Sequence, residues 1–75
     1  MTNAVKRGLD NYAENRVPTG GFLHAVLSND LMLATAKADE TNILQLGSIC
    51  CYIENNLPME CYGSPEIVAA WLDGR

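Results

Sequence analysis

Seventy-five residues make one domain, and five Lys/Arg against nine Asp/Glu leave a net charge of −4. The basic residues Lys6, Arg7, Arg16, Lys37 and Arg75 are scattered rather than gathered into a stripe, which excludes binding of duplex nucleic acid by phosphate neutralisation. The 48% hydrophobic content argues against disorder, and the apolar runs fall far short of the roughly 20 residues that span a bilayer.

Other expectations follow from size and cysteine usage. A core in so short a chain supplies only about 3–5 kcal/mol, so burial against further copies is expected, making the protein a homo-oligomer. Three cysteines, Cys50, Cys51 and Cys61, are an odd count with no apolar leader after Met1. Reduced thiols and a cytoplasmic protein are expected, not a disulfide framework.

In chain order, Thr2 or Asn3 can cap a first helix whose apolar residues Val5, Leu9, Tyr12 and Ala13 share one face. It should stop near Glu14, with Asn15 as a left-handed C-terminal residue, because Pro18 keeps Val17 out of the helical region. Thr19 offers a hydroxyl to cap a short second helix carrying Phe22 to Leu27, and Ser28-Asn29-Asp30 closes it and caps a third over Leu31 to about Lys37.

Asp39 opens the longest predicted element, Asp39 to Asn56, with Glu40 favourable in its first turn. Its stripe of Ile43, Leu46, Ile49, Cys50, Ile53 and Leu57 makes it the central helix, and Gly47 within it points to close packing of another helix. Cys50 reads as core and Cys51 as a helix-boundary residue. Pro58 ends this helix and Met59 to Gly63 is a loop. Ser64-Pro65-Glu66 then starts a last helix that carries Ile67, Val68, Ala70, Trp71 and Leu72 to Asp73-Gly74. The expectation is an all-α domain, a compact bundle of four to five short helices around one central helix.

Chemistry-bearing residues are few. Thr19-Gly20-Gly21-Phe22 joins orphan backbone N–H groups at a helix start to two residues without side chains, an arrangement that lets an anion approach the backbone. The same glycines would equally relieve crowding at a helix corner. Neither a Walker-type lysine nor a dinucleotide fingerprint accompanies them. Arg16 can neutralise a phosphate, while His24, Asn29 and Tyr62 can orient or stack a ligand. As alternatives, His24 reads as an ordinary surface residue, and Tyr62 and Trp71 as core or subunit-contact aromatics. Asp30, Asp39 and Glu40 are explained by capping and the helix dipole. Adjacent Cys50 and Cys51 point about 100° apart on a helix, the wrong spacing to join Cys61 and His24 in a zinc site. No metal, cofactor or catalytic residue is assigned, and the protein reads as a non-enzyme.

The run Val17-Pro18-Thr19-Gly20-Gly21-Phe22-Leu23-x-Ala25-Val26-Leu27-x-Asn29-x-Leu31, with Ala38-Asp39-x-x-Asn42 and Tyr62-Gly63-Ser64-Pro65-Glu66-x-Val68-x-x-Trp71, resembles a group of small phage and prophage proteins of unassigned function. Where those proteins often have glycine before the Val-Pro pair, this chain has Asn15-Arg16. The resemblance implies a phage protein working in the host cytoplasm and supplies no catalytic residue. It makes an anti-defence role worth weighing, in which an oligomeric sponge sequesters an anionic nucleotide immune signal without cleaving it. The alternative is a protein–protein module whose apolar Phe22 to Leu33 region docks on a host or phage protein.

Overall fold

The computed structural model describes residues 1–74, and among them every regular element is helical. The Thr2 hydroxyl accepts from the Val5 amide at 3.2 Å and starts α1, Asn3–Asn15, which turns Leu9 and Tyr12 inward. Asn15 is helical, and the left-handed residue is Arg16, at φ 57° and ψ 36°, with its amide on the Tyr12 carbonyl at 3.0 Å. The reversal falls there because Val17, ahead of Pro18, is held extended and Arg16 is the last residue free to turn. Glycine would occupy this left-handed position with less strain.

Helix α2, Gly21–Leu27, is capped by Gly20 and not by Thr19. The Thr19 hydroxyl instead donates to the Gly20 carbonyl at 3.2 Å, so no side chain caps α2. Asn29 then takes a left-handed φ of 60°, and the Asp30 carboxylate accepts from the Leu33 amide at 3.1 Å to start α3, Leu31–Lys37, as the spacing predicts. The tight reversal packs α3 against α2 more extensively than any other pair of elements.

The expected central helix is two helices. Asp39 caps α4, Glu40–Leu44, through the Asn42 amide at 2.7 Å, but Gln45 leaves helical geometry at φ −104° and ψ 8° before α5 runs over Leu46–Asn56. Low-propensity Asn42 and Gly47 flank the break, and the break re-aims the chain. Ile49 and Ile53 reach the core, whereas Ile43 and Leu44 stay 40% and 85% exposed and Cys50 is exposed rather than core. Cys51 lies inside α5, not at its boundary. The longest element is accordingly α1, and there are six α-helices among the described residues rather than four or five. Gly47 is no packing corner either, since a Cβ there would meet nothing within 4 Å.

After α5, Leu57 is buried and Met59–Cys61 forms one 3₁₀ turn within the expected loop. Ser64 then caps α6, Pro65–Leu72, through the Ile67 amide at 3.1 Å, with Pro65 as its first residue.

The core gathers one or two residues from most of these pieces, chiefly Leu9, Leu27, Ile49, Cys61 and Val68, around Tyr12. The Tyr12 hydroxyl donates to the Cys61 carbonyl at 2.7 Å, and its own carbonyl accepts from the Trp71 indole at 2.9 Å. One residue of α1 therefore holds both the 3₁₀ turn and α6. Burial, and then the nearby Cys61, push the Tyr12 phenol up to about 12, opposed by Arg16. Burial, and then Glu60, push the Cys61 thiol up to about 11.

Both groups are held neutral in the fold, so the unfolded chain releases their protons first as pH rises. Stability is therefore expected to be level below pH about 9 and to fall between about 9 and 12, read as melting temperature against pH. Tyr12→Phe, which orphans the buried Cys61 carbonyl, should cost about 1–3 kcal/mol in urea unfolding and flatten that alkaline slope. Gly47→Ala, in open space near the start of α5, should instead stabilise the protein by several tenths to about 1 kcal/mol.

Candidate functional site

The eight residues singled out for ligand contact fall into three places. Arg16 lies where the end of α1 meets α6. Its guanidinium stacks over the Trp71 ring at 3.7 Å from the centroid and donates from Nη1 to the Trp71 carbonyl at 2.9 Å. A cation so engaged, on a ring whose indole already holds Tyr12, acts as a clamp between two helices.

The second place is the turn itself. Thr19 is half-buried, Gly20 and Gly21 are exposed, and Phe22 points into the core at 8% exposure. Nothing lies within 4 Å of a Cβ added at Gly20, whereas one at Gly21 would meet the Lys37 side chain, with Cδ at 3.0 Å and Nζ at 4.0 Å. The cation nearest the glycine pair thus comes from the end of α3. Lys37 had no local signal in the sequence, because only the α2–α3 reversal carries it back to this turn. His24 is exposed on α2, one turn further on.

Asn29 and Tyr62 occupy the third place, and there the chain forms a groove of about 300 Å³. Val26 and Leu27 at the end of α2 form one wall, Cys50 and Ile53 of α5 the other, and Tyr62 with Gly63 closes one end. The Gly63 amide donates to the Leu27 carbonyl at 2.8 Å, which ties this closing loop to α2. Gly63 needs its missing side chain, since its φ of +127° lies where other residues are strained. A smaller apolar groove of about 60 Å³ shares Val26, Asn29 and Cys50 and continues past Leu31 and Ala34 to Leu46.

The two grooves are acidic where they are charged at all. Glu54 lines the larger and Asp30 the smaller, and no Lys, Arg or His lines either. An anion gains nothing from such walls, whereas apolar groups bordered by positive charge fit them. Cys50 lines both, and its thiol is pushed up by desolvation and by the neighbouring Cys51, so it is a neutral lining group at physiological pH. Sequence reasoning missed Cys50, Ile53 and Glu54 as groove residues. They face Val26 and Leu27 across the groove, and no spacing in the sequence connects the two walls.

The Asp30 and Asp39 carboxylates are engaged as caps, and Glu40 lies in the first turn of α4. Among the described residues no three His, Cys, Asp or Glu come together in a way that could hold a metal ion, and no helix is long and apolar enough to cross a membrane. No protein-family model matches the chain, and neither a curated protein nor a solved structure matches it.

The three thiols provide a check on this geometry. Cys50 and Cys51 are exposed and Cys61 is fully buried. Titration of the native protein with a disulfide reagent should therefore consume two thiols promptly and the third only on unfolding. A third prompt thiol, or only one, would contradict the packing of α5 and the 3₁₀ turn.

Proposed function

We infer that the protein is a non-enzymatic protein-interaction module whose groove between α2, α5 and Tyr62 takes apolar side chains from a segment bordered by Lys or Arg. The observation that carries this reading is the groove's lining: Val26, Leu27, Ile53 and Tyr62 offer apolar surface, and the charged groups at the two grooves are Glu54 and Asp30. At about 300 Å³ the cavity is at the small end of ligand sites, large enough for one or two side chains. A net charge of −4 draws a basic partner to it. The resemblance to phage proteins supplies a setting, the host cytoplasm, in which such a module inhibits or regulates a host or phage protein.

A second reading keeps the anti-defence sponge, with a nucleotide phosphate at the Thr19 turn. The observation in its favour is the Lys37 ammonium beside Gly21. Against it, Arg16 is engaged on Trp71, and Asn29 and Tyr62 line a different, acidic cavity.

Selection of displayed random peptides on the reduced protein separates the two. Enriched sequences are expected to combine bulky apolar residues with flanking Lys or Arg and to slow alkylation of Cys50 but not of Cys51. Tyr62→Ala should weaken them about tenfold or more while Gly21→Arg leaves them unaffected. Peptides that leave Cys50 alkylation unchanged would overturn the groove reading. Calorimetric binding of a cyclic di- or trinucleotide that is lost on Gly21→Arg would establish the second reading in its place.

A further inference from the structure

The groove read above as a docking site does not end at Cys50. Val26, Asn29 and Cys50 line both it and the smaller groove beyond, so the two are joined end to end. Helix α5 gives the line its scale. Leu46, Cys50 and Glu54 stand four apart on one stripe of α5, with Leu46 on the smaller groove, Cys50 on both and Glu54 on the larger. At about 1.5 Å per residue that stripe is about 12 Å long, so the two grooves are centred roughly one helical turn apart.

Their sizes and charges differ. The larger holds about 300 Å³ and is closed by Tyr62, whereas the smaller holds about 60 Å³ and is lined by Leu31, Ala34 and Leu46. A bulky side chain fits the first and a small one the second. Asp30 lies on the smaller groove, but its carboxylate already accepts from the Leu33 amide. Glu54, exposed on the larger groove, is therefore the charge that a partner meets. Every regular element among the described residues is helical, which leaves no sheet edge for an extended segment to pair with. A segment lying in this site must satisfy its own backbone groups, as a helix does.

We propose that the two grooves are consecutive subsites for one amphipathic helix of a partner protein. A bulky apolar residue enters beside Tyr62, a small one, Ala or Val, enters beside Leu46 one turn away, and a Lys or Arg beyond the bulky residue meets Glu54. The proposal rests on the docking reading above and adds the partner's helical form, its anchor spacing and its direction. Unequal subsites with the charge at the larger end set which way that helix lies.

Peptide selection on the reduced full chain and on two widened variants tests it. Sequences that slow Cys50 alkylation should carry the bulky and the small residue three or four apart, and a proline placed between them should abolish binding. Leu31→Ala, at a residue 61% exposed, opens the smaller groove without touching the core and should shift the selected small residue to Leu or Met. Leu46→Ala should do the same from α5. Glu54→Lys should weaken a selected peptide about tenfold and restore binding when the peptide's own Lys or Arg is changed to Glu. Peptides that protect Cys50 yet carry a single anchor, tolerate the proline, or keep the same small residue against both widened variants overturn the helix proposal and leave the docking reading in place. Peptides that leave Cys50 alkylation unchanged overturn the docking reading, and this proposal with it.

Discussion

The buried bond from the Tyr12 hydroxyl to the Cys61 carbonyl is the constraint on which the remaining structure depends, because it joins positions 49 residues apart inside the core. Hydrophobic contact alone would let a short 3₁₀ turn slide against α1. A hydroxyl that must find an acceptor does not permit that, since an unmade bond inside the core costs on the order of 1–3 kcal/mol, a large share of what a 75-residue chain has. The Trp71 indole on the Tyr12 carbonyl and the Arg16 guanidinium on the Trp71 ring extend the tie to α6. Once the 3₁₀ turn is held, Tyr62 and Gly63 have only one place to go, the end of the groove. The geometry of the candidate site is thus a consequence of a bond made on its far side.

Local chemistry was the legible part of the fold. Asp30, Asp39 and Ser64 each cap the helix that their spacing predicts, Pro65 is the first residue of α6, and Leu9 and Tyr12 face inward as the period of α1 requires. Such features depend on neighbours three or four residues away, and sequence states those directly. The misreadings of the central helix share one cause. The stripe from Ile43 to Leu57 has the period of a single helix, but whether a helix continues through Gln45 depends on whether both halves can be buried together. Only the tertiary packing decides that, and here it buries Ile49 and Ile53 and leaves Leu44 outside. Cys50 and Gly47, on the same stretch, were misplaced with it.

The candidate site was less legible for the same reason, at longer range. Glycines at positions 20 and 21 are conspicuous in a linear chain because a helix stops and another starts around them. What gathers a cavity, however, is the approach of the α2 end, α5 and Tyr62, and no spacing rule connects Val26 to Ile53 or Glu54. Asn29 and Tyr62 were recognised as polar and aromatic candidates but were grouped with the wrong partners. Arg16 shows the opposite error, a cation near a glycine turn in sequence whose charge is directed at another helix.

The division between buried and exposed apolar residues bears on function more directly than any motif. A chain this small can enclose only so many side chains, and this one encloses Leu9, Leu27, Ile49 and Val68 while leaving Met32 at 77%, Leu44 at 85% and Met59 at 78% exposed. Single exposed apolar residues are ordinary, but three in succession along a two-turn helix are not. At roughly 25 cal/mol per Å², side chains of that size are worth on the order of 1–2 kcal/mol each when covered, comparable to the Tyr12 bond itself. The same interactions that complete the fold from within are therefore available on its outside. In a domain whose core is near the minimum for independent folding, association at such surfaces adds to stability as well as to recognition, because a partner that binds only the folded form draws the equilibrium toward it.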